Sequence, residues 1–192
     1  MKKYKILVIN PGSTSTKISI HENEECIYST SVFHDSKDLL KFPTINDQLD
    51  YRMNVLWNFI EENHIDLSNI DAVVGRGGGC YSVPGGIYTI DEKLIKDTAE
   101  YKGELYHSSM LGVQMARRVQ EKYGGIAIMT NPPVVDELCD LARLTGIKGI
   151  YRKAISHALN LKAVAKKHCE LHDLDYEHCN LIVCHIDGGI SI

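Results

Sequence analysis

Residues 5–9, a short apolar run ended by Asn10-Pro11-Gly12, constrain the fold of this chain more than any other feature. A run of this length bounded by turn residues reads as a buried strand. Two more β-type segments follow at once. Residues 16–21 form its hairpin partner, and residues 26–33 are a third strand rich in β-branched and aromatic side chains. A chain that opens in this way must build a sheet before any helix can pack on it.

The period then changes from two to that of a helix. After a polar connection at 35–43, residues 47–64 place Leu49, Met53, Leu56, Trp57 and Ile60 on one stripe. Residues 70–74 are the next strand, and 76–86 a loop with five glycines and Pro84. Asp91 caps a helix reaching Tyr101 and burying Leu94, Ile95 and Thr98. Ser108 or Ser109 opens another, with Leu111, Met115 and Val119 on its core face and Gly124-Gly125 as its stop. Residues 126–129 form a strand. Asn131 caps a further helix, with Pro132 at its first position, Asp136 and Glu137 in its first turn and Gly146 past its end. Its stripe is Val134, Leu138, Leu141 and Ala142. A long helix over 152–171 buries Ala154, Ala158, Leu161 and Ala165, and residues 181–186 are a strand apolar enough to be covered on both faces. This order predicts an α/β fold, a mixed sheet opened by antiparallel strands with helices packed on it. Residues 1–175 read as one domain and 176–192 as the opening of a second.

Composition narrows the function. The 192 residues carry a net charge of −4, with a pI of about 6.1, which points away from nucleic acid and anionic membrane surfaces. No apolar run approaches the ~18 residues that span a bilayer. The basic start at Lys2 and Lys3 precedes only a strand-length apolar stretch, not a secretory signal. Six cysteines without a Cys-x-x-Cys pair read as reduced thiols of a cytoplasmic protein.

Two glycine- and hydroxyl-rich loops each follow an apolar run: Asn10-Pro11-Gly12-Ser13-Thr14-Ser15-Thr16-Lys17 and His185-Ile186-Asp187-Gly188-Gly189-Ile190-Ser191. Such loops turn backbone N–H groups and hydroxyls toward phosphate oxygens. As a pair they predict a nucleotide clamped between two lobes. Asn10-Pro11-Gly12-Ser13 also fits a plain type II turn. No Gly-Lys-Thr/Ser opens a helix, so the first loop is not a Walker A loop. Arg76, followed by glycines, can grip a carboxylate or phosphate in bidentate fashion, or be a surface arginine in a flexible loop. His107 and His157 stand near helix starts, where a capping or solvated histidine is ordinary. His168, Cys169, His172, His178 and Cys179 crowd together, and His168 and His172 at i, i+4 could share a metal. The acidic residues among them fit a solvated helix end instead, and no metal ligands are assigned.

Taken in order, several segments carry a resemblance. They are Val8 to Ile18, Ala72-Val73-Val74-Gly75-Arg76-Gly77-Gly78, Pro84-Gly85-Gly86-Ile87-Tyr88, His107-Ser108-Ser109, Val134-Val135-Asp136-Glu137-Leu138, Arg152 to Asn160, and His185 to Ile192. The chain resembles the N-terminal half of the butyrate kinases, in the acetate kinase family of the actin-like ATPase (ribonuclease H-like) fold. The resemblance implies phosphoryl transfer between ATP, with Mg²⁺, and butyrate or a similar short-chain carboxylate. It implies that Arg76 holds the carboxylate or the transferring phosphoryl group and that His157 donates to its equatorial oxygens. Asn10, Gly12, Ser13, Ser15 and Lys17 would form one phosphate loop and His185, Gly188 and Gly189 the other. Val83 and Gly86 would receive the alkyl tail.

Departures accompany the likeness. Asn131 stands where the family pattern has an aspartate. Asp187 stands where a small neutral residue is usual, and a carboxylate about 4 Å from a phosphate charge costs roughly 4 kcal/mol at an effective dielectric of ~20. The family's remaining second-lobe segments would follow Ile192. The expectation is therefore a chain without turnover by itself, self-associating through the strand at 181–186. The alternative is a degenerate relative acting as a binding or scaffold module.

Overall fold

The computed structural model describes residues 2–78, 80–103, 107–186 and 190–191. Thirteen elements organise them: β1 (Lys5–Pro11), β2 (Ser15–Glu22), β3 (Glu25–Phe33), α1 (Ser36–Leu39), α2 (Leu49–Glu62), β4 (Ala72–Gly75), β5 (Ile87–Thr89), α3 (Glu92–Glu100), α4 (Leu111–Tyr123), β6 (Ile126–Thr130), α5 (Ala158–Leu171), β7 (His185–Ile186) and β8 (Ile190–Ser191). They fall into two compact units, one of Met1–Cys80 and Ile87–Thr130, the other of Tyr81–Gly86 and Asn131–Ile192.

The first unit is built on a six-stranded sheet ordered β3-β2-β1-β4-β6-β5. β1 runs antiparallel to β2 and parallel to β4, β4 parallel to β6, and β5 antiparallel to β6. Leu7 and Ile9 of β1, and Thr16, Ile18 and Ile20 of β2, are buried at every second position. This is the alternation of a sheet whose strands each send one set of side chains inward. α4 packs on β1, β4 and β6, with α2 and α3 against α4. Leu111, Met115 and Val119 of α4 are fully buried and join Met53, Leu56 and Ile60 of α2 in one core.

The cap of α3 and the stop of α4 form as their residue types dictate, but neither Ser108 nor Ser109 caps α4: both lie in the 3₁₀ turn Ser108–Met110, and α4 starts at Leu111 without a side-chain cap bond. The Asp91 carboxylate accepts from the Leu94 amide at 2.8 Å and opens α3, which buries Thr98. Gly124 and Gly125 end α4 with φ of 87° and 78°, where a side chain would be strained. Two small elements went unanticipated. The polar connection holds the four-residue α1, capped by Asp35, and β5 adds an edge strand to β6.

In the second unit three expectations fail. The helix after Asn131 does not form. Asn131 lies at φ 36°, the Val83 amide donates to Val134 O (3.3 Å) and the Asp136 amide donates to Val83 O (2.9 Å). This strand-like bridge suits the β-branched Val134 and Val135 and takes the backbone groups a helix would need. Arg143 then closes a two-pronged ion pair on Asp136 at 2.8 Å, and only a 3₁₀ turn, Leu141–Arg143, remains, with Leu141 exposed. The long helix begins at Ala158, not 152. The Arg152 amide donates to Arg143 O (2.8 Å) and the Ser156 amide to Pro133 O (3.0 Å), which keeps the preceding residues out of the helix. Finally, the last strand is not covered on both faces. Only His185–Ile186 is a strand, paired with Ile190–Ser191, and Ile182 is 89% exposed.

Candidate functional site

In the first unit, β1 delivers the first loop. Asn10 and Lys17 face each other across the β1–β2 pair, and the Gly12 amide donates to Ser15 O at 2.7 Å. Gly12 has no positive φ, so the type II turn open to Asn10-Pro11-Gly12-Ser13 is not the one adopted; the strand continues through Pro11 and the chain reverses after it. Ser13, Thr14 and Lys17 are exposed.

Behind this loop lies a group that the sequence reading passed over. Arg52 of α2 is 1% exposed, and its guanidinium donates to Gly12 O (2.9 Å), Ser13 O (2.8 Å) and Gln48 Oε1 (3.1 Å). Beside it, the His34 amide donates to Thr14 O at 2.9 Å, and the His34 ring shares a 2.8 Å hydrogen bond with Thr16 Oγ1. Burial, reinforced by the Arg52 charge, pushes the His34 pKa down to about 4. The signal was present in the sequence: position 52 falls on the apolar stripe between Leu49 and Leu56, where a charged residue has no reason to stand unless it has a partner inside.

Arg76 follows β4 directly, and its amide donates to Ile9 O at 2.8 Å, which ties the loop to the end of β1. The side chain is half-buried, and desolvation pulls its pKa below the ordinary arginine value while leaving it charged. Gly77, at φ 87°, lies so close to Ser109 that an added Cβ would stand 2.5 Å from the Ser109 Cβ. His107 caps the 3₁₀ turn Ser108–Met110, with the Ser109 amide donating to its Nδ1 at 3.2 Å. Its pKa is lowered by burial first, then by the Arg76 and Arg52 cations. The capping reading of His107 is thus the one adopted, and it leaves a neutral ring with its proton on Nε2.

In the second unit Asn131 and Gly86 are joined reciprocally. The Gly86 amide donates to Asn131 Oδ1 and the Asn131 amide to Gly86 O, each at 3.0 Å. Val83, two residues from Gly85, is held by the bridge to Val135, and the Gly85 amide donates to Glu137 Oε1 at 3.1 Å, an oxygen that also accepts from Lys162 at 2.7 Å. His157 stands at the N-terminal boundary of α5 without a side-chain cap bond, and its ring stacks on His185, centroids 4.0 Å apart and planes 14° apart. Asn160 Nδ2 donates to His185 Nδ1 at 2.8 Å, which sets the His185 tautomer with its proton on Nε2. Asp187, Gly188 and Gly189 lie outside the described residues. His168 and His172 rings lie 4.4 Å apart, and no group of three or more possible metal ligands occurs among the described residues. No helix there is long and apolar enough to cross a membrane.

No family model matches the chain. It is 44% identical over 191 residues to butyrate kinase 2 of Clostridium acetobutylicum, covering 99% of this chain and 53% of that protein. With butyrate kinase 1 of the same organism it shares 40% over 190 residues, covering 98% and 53%. With a probable butyrate kinase of Enterococcus faecalis it shares 41% over 187 residues, covering 97% and 51%. The fold matches the crystal structure of Porphyromonas gingivalis acetate kinase with a TM-score of 0.67 at 16% identity, over 97% of this chain and 53% of that one. A propionate kinase from Francisella tularensis matches with a TM-score of 0.59 at 16% identity, over the same shares. The fold is that of the acetate and propionate kinases, consistent with the expected actin-like ATPase architecture. The chain spans about half the length of the curated relatives it matches, and over that span its sequence is similar to that of the butyrate kinases.

Proposed function

We propose that this chain supplies the N-terminal half of a butyrate kinase-type phosphotransferase, in which a short-chain carboxylate attacks the γ-phosphoryl group of ATP. In that step a carboxylate oxygen forms a bond to the γ-phosphorus as the bond from phosphorus to the β–γ bridging oxygen breaks, and ADP leaves. The products are an acyl phosphate and ADP. A carboxylate is already anionic, so no general base is required. The protein has to hold two anions together and offset the charge of the group in flight. The observation that carries the reading is the likeness to butyrate kinases along the whole chain, with no segment left over.

The residues divide the work as follows. Arg76, half-buried and charged, grips the acyl carboxylate or the transferring phosphoryl group. Ser13 and Ser15 offer hydroxyls to phosphate, and Ser13 its amide as well, while the Gly12 amide closes the turn onto Ser15 O and Asn10 and Lys17 stand beside them. His157 donates to the equatorial oxygens, and His185 belongs to the second phosphate loop together with Gly188 and Gly189. Val83 and Gly86 border the place of the alkyl tail. Asn131 stands at the family's aspartate position, and its side-chain oxygen is already taken by the Gly86 amide. Mg²⁺ usually keeps several waters and binds through substrate phosphates with one or two carboxylates. The described residues do not fit a Mg²⁺ cage of their own, since the aspartate position holds an amide and the first loop holds hydroxyls. The metal therefore comes with the nucleotide.

Isothermal titration tests the reading. Butyrate, and ATP in the presence of Mg²⁺, are titrated into the chain and into Arg76→Ala. We expect butyrate binding that weakens at least about tenfold in the variant, as loss of a two-pronged charged contact requires. Equal butyrate affinity in the two proteins would overturn the assignment of Arg76.

A further inference from the structure

We propose that Arg52 is the positioning residue of the first phosphate loop, a buried cation that aims the Ser13 and Thr14 amides outward at an anion. The inference rests on the kinase reading and deepens it. Its basis is the direction of the peptide planes. The guanidinium binds two consecutive carbonyls, Gly12 O at 2.9 Å and Ser13 O at 2.8 Å. In a trans peptide the C=O and the following N–H point in opposite directions, and the chain holds no cis peptide among its described residues. With both carbonyls turned in toward Arg52, the Ser13 and Thr14 amides must point out, away from it. Both residues are exposed, and neither amide has a partner among the described residues. Two successive outward amides form a concavity suited to an anion.

The charge makes the second half of the case. Arg52 is 1% exposed and makes no ion pair among the described residues; its three acceptors are two backbone carbonyls and the neutral Gln48 amide. A buried, unpaired charge is costly. An anion on the far side of the loop offsets that cost, because the carbonyl and amide dipoles lie in line between the two charges. His34 adds no charge there at neutral pH and instead fixes the next carbonyl, Thr14 O. The site favours a phosphate group, whose several oxygens can accept both amides and the neighbouring hydroxyls at once.

The test uses inorganic phosphate and ATP as probes on the unchanged chain, Arg52→Lys and Arg52→Gln, with affinity read by titration and folding by circular dichroism. Arg52→Gln should weaken ATP and phosphate at least about tenfold, and Arg52→Lys, which keeps the charge but not the fork, by an intermediate factor. A purely structural arginine would lower the melting temperature and leave affinity intact. Binding by the folded Arg52→Gln protein as tight as by the unchanged chain overturns the role of Arg52 and spares the kinase reading. Absence of ATP and phosphate binding by the unchanged chain overturns both. Should neither variant fold, the Arg52 ¹⁵Nε resonance of the unchanged chain is followed during phosphate titration. A saturable shift supports the proposal, and a fixed resonance overturns it.

Discussion

His34 shows how one buried side chain couples this loop to pH. The residue is 5% exposed, its ring is bonded to Thr16 Oγ1 and close to the Arg52 charge, and its pKa falls from the ordinary 6.5 to about 4. The unfolded chain therefore binds a proton in a range where the folded chain refuses it. Stability from this residue is fully present above about pH 6.5 and is lost as pH falls toward 4. The full shift corresponds to roughly 3 kcal/mol. We expect the melting temperature to drop across that window and the drop to shrink in His34→Asn. A flat profile between pH 6.5 and 4 would contradict the assignment. The burial of Arg52 was signalled by its place on the apolar stripe of α2, but what it and His34 bind was not legible, because those contacts join residues 18 to 40 positions apart in the chain. The place of Arg76 directly after a strand was legible, since strand, arginine and glycines stand next to one another in sequence.

Elements whose signals are local formed as read. Asp91 opens α3 with a bond to the Leu94 amide, and a cap of this kind is worth about 1 kcal/mol. We expect Asp91→Ala to cost that much in a denaturant titration and Asp91→Ser to cost little. α2 and α4 likewise follow their apolar stripes. The helix expected after Asn131 had a cap residue, a proline at the first position and acidic residues in the first turn, and still did not form. Val83, some fifty residues earlier in the chain, takes its amide and carbonyl groups into a strand-like bridge, and Arg143 turns back onto Asp136. The start of α5 moved for the same reason, since Arg143 O and Pro133 O hold the amides of Arg152 and Ser156. Helix propensity amounts to tenths of a kcal/mol per residue, and a few fixed tertiary hydrogen bonds outweigh it.

The two compact units differ in how they are held. The first has a continuous core of buried side chains drawn from β1, β2, β4, β6, α2 and α4. The second has long irregular stretches joined by hydrogen bonds at the surface, with Leu141, Leu144, Ile147 and Ile150 all exposed. We expect amides of β1, β4 and β6 to exchange with deuterium slowest and those of residues 137–155 fastest by orders of magnitude. Equal protection in both regions would contradict this division. Sequence by itself determined the sheet-first α/β architecture, the cap of α3, the stop of α4, and the likeness to the butyrate kinases, because alternation, capping and motif order are all written between near neighbours. Only the tertiary structure decided which strands adjoin, why residues 131–157 form no α-helix, and that a buried arginine from α2 binds two carbonyls of the first loop. Those outcomes depend on which distant groups compete for the same backbone donors and acceptors, and no local pattern encodes that competition.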